Sequence, residues 1–194
     1  AVKDGITVNL VYDGRAAKVM LNQDKVRQIE EYYAQCELEG ANEHQVEESQ
    51  KAVAKMEVII GDPDRLRAVA EDFIKHYETR VAEGATVAGK AMFVCSNRNI
   101  AYDFYKIVKK LRPEWTEKKI CDDGVVLSEK DKKELKPMEK IKLVMTRNKD
   151  DEKDLFDMLG TKEDRKEFDR QFKNPKSNFK IAIVVDMWLT GFDV

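Results

Sequence analysis

Hydrophobic positions change their spacing along the chain, and each change marks an element. Ile6-Thr7-Val8-Asn9-Leu10-Val11-Tyr12 alternates and is rich in β-branched residues, which predicts a strand. From Asn22 onward, Val26, Ile29, Tyr33 and Cys36 recur at helical spacing, and Gly40 closes that helix. A second helix is predicted from Glu43 to Ile60, with Val46, Val53 and Ile60 on one side. The third has clear punctuation. Asp62 can cap its free N–H groups, and Pro63 suits the first helical position, where a missing donor costs nothing. Leu66, Val69, Ala70, Phe73, Ile74, Tyr77 and Val81 form its buried stripe, and Gly84 ends it.

After Gly89 the pattern becomes short apolar runs separated by amphipathic stretches. Ala91-Met92-Phe93-Val94-Cys95, Ile141-Lys142-Leu143-Val144-Met145 and the run from Phe179 to Val185 read as strands covered on both faces. A helix from Asn97 to Leu111 follows the first, with Ile100, Phe104, Ile107, Val108 and Leu111 inward and Pro113 as its stop. Residues 118 to 139 are Lys-rich and form an excursion, with a short helix after Ser128. Helical stretches are predicted at Glu152 to Leu159 and Thr161 to Lys173. Strand, helix, strand, helix, strand implies crossover connections and a parallel sheet flanked by helices, an α/β fold. In such sheets ligands meet the loops beyond the strand carboxyl ends. Here those loops are Ser96-Asn97-Arg98, Thr146-Arg147-Asn148 and Asp186 through Asp193, a polar rim suited to phosphate.

Charge adds an asymmetry. The 194 residues carry a net charge of -2 with 37% charged residues, yet residues 22 to 83 hold 8 Lys and Arg against 15 Asp and Glu. An acidic segment therefore sits beside a mildly basic body, and a polyanion is tolerated only by the second. No run of ~20 apolar residues exists to span a membrane. Cys36, Cys95 and Cys121 are too few and too scattered for a disulfide framework, which points to a reducing cytoplasm. No Cys or His stands at metal-ligand spacing from His44 or His76, so surface or capping roles suit them better than metal.

Gly84-Ala-Thr-Val-Ala-Gly89-Lys90 fits the phosphate-loop pattern G-x-x-x-x-G-K. Ala91 stands where a Ser or Thr must ligate Mg²⁺, and the run joins a helix to a strand rather than a strand to a helix. It reads as a turn with two useful glycines. A standalone P-loop ATPase using Lys90 and Asp186 is accordingly the weakest of the functional alternatives.

Asp186-Met187-Trp188-Leu189-Thr190-Gly191-Phe192-Asp193 carries the most chemistry. Thr190 offers a hydroxyl to a phosphate oxygen, Gly191 permits close backbone approach, and Asp193 can orient an Arg or a ribose hydroxyl. This run resembles motif V of superfamily 2 helicases, in the form found in the restriction (motor) subunit of type I restriction-modification enzymes. Met92-Phe93-Val94-Cys95-Ser96-Asn97-Arg98 with Ile100-Ala101 resembles motif IV of the same family. Asp4-Gly5-Ile6-Thr7-Val8 with Tyr12 and Gly14-Arg15 resembles the stretch that leaves the first motor lobe, and Arg165 matches an Arg of the helix before motif V. The family's Walker A, DExx box, motif VI arginines and PD-(D/E)xK nuclease motif find no counterpart in the chain.

The resemblance implies a RecA-like second motor lobe with an N-terminal helical insertion, C-terminally truncated after motif V. Residues 1–21 would be the connector from the first lobe, 22–83 the acidic helical insertion, and 84–194 the partial lobe. It further implies part of an ATP-dependent double-stranded DNA translocase within a type I site-specific deoxyribonuclease, cytoplasmic, with the fragment inactive alone. ATP and Mg²⁺ would bind mainly on the absent first lobe. Ser96, Arg98, Thr190 and Gly191 would grip the DNA backbone, while Asp193 and Arg165 would couple the nucleotide cleft. Partners would be double-stranded DNA, the first lobe and nuclease domain of the same parent chain, and the methyltransferase and specificity subunits. Blander roles stand beside these: Ser96 as a helix cap, Arg98 as a solvated helix-start residue, Arg165 paired near Glu163 or Asp169, Trp188 in core packing and Asp193 in a turn. A different class, a noncatalytic interaction module built on the acidic helices of 22–83, would need no DNA contact.

Overall fold

A computed structural model describes residues 60–185. The strand expected at 6–12, the helix expected from Asn22, the helix expected from Glu43 to Ile60 except its last residue, and the loop 186–193 with Thr190, Gly191 and Asp193 lie outside the described residues.

The first described helix, α1 (Pro63–Ala82), begins as its sequence dictates. The Asp62 side chain accepts from the amides of Asp64 and Arg65, and Pro63 occupies the first turn. Its buried face is Leu66, Ala70, Ile74 and Tyr77. Val81, expected in that stripe, is 39% exposed, because the helix runs past the edge of what it covers. A short 3-10 turn at Val87–Gly89 then leads into β1 (Ala91–Val94). The helix α2 (Arg98–Leu111) follows, capped by Asn97, and Pro113 opens a 3-10 turn rather than continuing it.

The excursion is pinned at its neck. Lys119 and Met138 exchange backbone hydrogen bonds at 3.0 and 2.9 Å, so the segment leaves and returns at one point. Within it α3 (Glu129–Glu134) carries a capping box between Ser128 and Asp131. Its return is tied by Gln171, whose Nε2 donates to the Glu134 carbonyl at 2.9 Å, and by Asn178, whose Nδ2 donates to the Met138 carbonyl at 2.7 Å. Then come β2 (Ile141–Val144), α4 (Lys153–Leu159), α5 (Lys162–Lys173) with a Thr161–Asp164 capping box, and β3 (Ile181–Val184).

All three strands are parallel, in the order β1-β3-β2. The last strand in sequence is therefore central, and both faces of the sheet are packed. Ala91, Phe93, Ile141, Leu143, Ile181 and Ile183 face α1, α2 and α4, where Phe93 stacks on Phe104 with ring centres 3.9 Å apart. Met92, Val144, Ala182 and Val184 face α5 through Phe168 and Phe172. The period-2 alternation thus divides two apolar surfaces, as a doubly covered parallel sheet requires. Although α1 lies in the segment expected to form the acidic insertion, its stripe belongs to the same core as β1 and α2. Among the described residues no helix is long and apolar enough to cross a membrane.

Candidate nucleic-acid interface

The strand register fixes one edge of the sheet. Val94, Val184 and Val144 lie opposite one another, so the loops after β1, β3 and β2 leave from a common level. The Cys95 amide still donates to the Val184 carbonyl at 2.9 Å, which carries β1 pairing one residue beyond the strand. Burial holds the Cys95 thiol protonated, with its pKa pushed up to about 12, so it is a packing residue.

This extra pairing moves the helix cap. Of the two roles open to Ser96, the helix cap falls instead to Asn97, whose Oδ1 accepts from the Ile100 amide at 2.9 Å. Both residue types cap well. The extended backbone of Asn97 (φ -152°, ψ 172°) is what decides it. Ser96 is left exposed on the rim.

Arg98 is not a freely solvated residue. Its Nη1 donates to the Thr146 carbonyl at 2.7 Å, and its Nη2 lies 2.6 Å from both carboxylate oxygens of Asp151. Asp151 Oδ2 also accepts from the Asn148 amide at 2.6 Å. Only 6% of the Asp151 side chain is exposed, against 28% for Arg98. The contact joins the β1 loop to the β2 loop across the end of the intervening β3. Such short charge-assisted bonds are the stronger kind, worth roughly 1.5–3 kcal/mol each when one partner is charged. The geometry makes one rigid rim out of two loops.

Arg147 turns away from that rim. Its Nε donates to the Phe156 carbonyl at 2.8 Å and its guanidinium lies 4.4 Å from the Phe156 ring centre, which anchors α4 to β2. Arg165 lies near the start of α5, where Nη1 reaches the Gly160 carbonyl at 3.4 Å. The acidic neighbour Asp169 pairs with Lys173 at 3.5 Å instead. The structure brings Ser96, Asn97, Arg98, Thr146, Asn148 and Asp151 together at the carboxyl edge. Asp151 was not anticipated, since no local signal couples residues 53 apart in sequence.

The Gly84–Lys90 run is a helix-to-strand turn. Gly84 and Gly89 take left-handed φ values of +67° and +69°. Lys90 Nζ donates to the Phe179 carbonyl at 2.6 Å and lies over the Phe172 ring.

A helix-flanked parallel sheet with a polar carboxyl edge defines an α/β lobe of the kind whose ligands meet the loops beyond the strand ends. Comparison with known proteins narrows the class. The chain is 33% identical over 193 residues to the type I restriction enzyme HindI endonuclease subunit of Haemophilus influenzae. It is 32% identical over 196 residues to a Methanocaldococcus jannaschii protein named "Putative type I restriction enzyme MjaIXP endonuclease subunit". Both alignments cover 100% of the chain and 16% of the relative's length. Along its whole length the chain is thus a relative of one segment of type I restriction enzyme endonuclease subunits, the family its motifs resemble. No family model matches it, and no solved structure does.

Proposed function

We propose that the chain forms part of the second RecA-like lobe in the DNA-translocating motor of a type I restriction endonuclease. The alignment of the entire chain with two restriction endonuclease subunits carries this reading. The in-register carboxyl edge supports it, because the motif V-like run at 186–193 follows the central strand. In this reading ATP with Mg²⁺ binds mainly on the first lobe. The described residues fit that assignment, since the G-x-x-x-x-G-K run among them joins a helix to a strand rather than a strand to a helix. Ser96, Thr190 and Gly191 touch backbone phosphates, which positions DNA without reading bases. Arg98 stays paired with Asp151 and meets a phosphate through the partly solvated side of its guanidinium. Asp193 and Arg165 link the DNA side to the nucleotide cleft. The lobe works in the cytoplasm beside the first lobe and nuclease domain, with methyltransferase and specificity subunits as partners.

The test uses the 194-residue chain. Titration with a short DNA duplex, followed by amide resonances, should shift residues 96–98 and 190–193. Affinity should be about 10⁻⁴ M or weaker and should fall steeply with salt. The chain alone should not turn over ATP. Tight binding that survives high salt, shifts confined to other residues, or measurable ATP hydrolysis would defeat the proposal.

A further inference from the structure

At the opposite edge of the sheet, each described strand is entered through a lysine. Lys90, Lys140 and Lys180 immediately precede β1, β2 and β3. Backbone bonds set them side by side: the Ala91 amide donates to the Lys180 carbonyl and the Lys180 amide to the Lys140 carbonyl, each at 2.9 Å. Like charges so placed, on strands ~4.8 Å apart, call for neutralisation.

Most of what holds these ammonium groups is uncharged. Lys90 Nζ donates to the Phe179 carbonyl and sits 5.1 Å from the Phe172 ring centre. Lys180 Nζ donates to the Pro175 carbonyl at 2.8 Å, and its side chain is 7% exposed. Lys140 Nζ lies 5.8 and 5.9 Å from the Tyr77 and Trp115 ring centres. Asp122, from the excursion, faces them: its Oδ2 lies 3.3 Å from Lys180 and its Oδ1 4.0 Å from Lys140. Both distances exceed the ~2.7–2.9 Å of a tight charge-assisted bond. On α1, Tyr77 donates its hydroxyl to the Gly89 carbonyl at 2.7 Å, and burial followed by Asp122 raises its pKa, so it adds no charge. At the neck of the excursion, Lys119 pairs with Glu117 and Asp123 at 3.7 and 3.9 Å. Glu78 of α1 also feels the Lys140 charge, but Arg112 holds it at 2.7 Å. Asp122 is thus the one carboxylate at ion-pair distance from Lys140 and Lys180 among the described residues.

We propose that this amino-terminal edge is a binding site for a small tetrahedral oxyanion of the sulfate or phosphate type, gripped by Lys140 and Lys180 with Lys90 in support, and that Asp122 is its displaceable stand-in. A tetrahedral dianion offers more acceptor oxygens and twice the charge of the carboxylate it replaces. The lysine donors are already oriented by the carbonyls and rings around them. The near-complete burial of Lys180 suits a free ion and excludes the backbone of a duplex. Displacement frees a limited stretch. Asp122 opens the turn closed by the Val125 amide, at 3.3 Å from the Asp122 carbonyl, and Val126 just past that turn is 86% exposed. The Ile120 carbonyl stays tied to the Asn178 amide at 3.1 Å.

Lys90 makes the site sensitive to pH. Burial first, then Lys180, lowers its pKa to about 7, while Asp122 opposes the shift. The full positive charge is thus present only below neutrality. The probe is sodium sulfate, a dianion across this range, titrated against sodium chloride at matched ionic strength. The readout is the ε-methylene carbon resonances of the lysines. Saturable shifts of Lys90, Lys140 and Lys180 are expected, about threefold tighter at pH 6 than at pH 8. Asp122→Asn removes the competitor and should tighten sulfate by about threefold, the weight of a partly exposed ion pair. Proteolysis within 121–127 should quicken as sulfate saturates. Phosphate should compete at the same lysines, and a DNA duplex should not. Shifts spread over exposed lysines without saturation, affinity unchanged by Asp122→Asn, or competition by duplex would each overturn the assignment. Because this edge is opposite the DNA contacts proposed above, its failure leaves that reading standing.

Discussion

The two ends of one small sheet solve the same electrostatic problem in opposite ways. At the carboxyl end a single arginine meets a nearly buried carboxylate at 2.6 Å, and the carboxylate takes a backbone amide as well. At the amino end three lysines lean on carbonyls and aromatic rings, with one carboxylate no closer than 3.3 Å. A matched, desolvated pair stiffens the loops it joins. An excess of one sign, loosely compensated, leaves room for a ligand. The contrast teaches that charge count along the sequence says little until each charge has a partner and a depth.

The largest effect is expected at the carboxyl edge. Arg98→Met strands the Asp151 carboxylate, which keeps only the Asn148 amide. Urea unfolding should show a loss of about 2–3 kcal/mol, below the ~3–5 kcal/mol of a fully buried pair because Arg98 is partly solvated. A loss below about 0.5 kcal/mol would mean that the clasp is only a surface contact.

The amino edge should reveal itself through pH. The folded-state pKa of Lys90 is lowered to about 7 from its ordinary 10.5, so the unfolded chain binds more protons between those values. Stability therefore rises with pH from about 7, at no more than about 1.4 kcal/mol per unit and less after solvent screening. The rise ends near pH 9. There Cys95, with its thiol pushed up to about 12, and Tyr105, with its phenol also near 12, hold protons in the fold that the unfolded chain releases. Lys90→Met should flatten the rise between pH 7 and 9 and leave the decline above it. Denaturant midpoints across that range check both limbs.

The smallest effect sharpens the contrast. Asp122→Asn should change stability by no more than about 1 kcal/mol, as expected for a half-exposed partner at long range. A loss as large as that of Arg98→Met would erase the distinction between the two edges.

The element plan was open to reading because its signals are local. Asp62-Pro63 caps and starts α1, Pro113 stops α2, and Thr161 with Asp164 opens α5; each acts through bonds within a few residues. The three strands were equally visible as short apolar runs bounded by polar turns. The cap of α2 slipped by one residue because the Cys95 amide pairs with β3, a contact that no neighbouring residue announces. Val81 fitted its helical stripe yet lies beyond the surface that the stripe covers. Ser96 and Arg98 were both singled out for phosphate, but the structure separates them: Ser96 is free on the rim, whereas Arg98 is already held by Asp151.

The order of helices and strands, the α/β class and the family resemblance belong to the sequence itself, since hydrophobic period, capping and motif spacing act over short stretches of chain. Tertiary structure alone placed β3 between β1 and β2, joined Arg98 to Asp151 and gathered three lysines around Asp122. Those outcomes depend on which surfaces are buried together and how water is excluded between them, and a linear pattern carries no record of either.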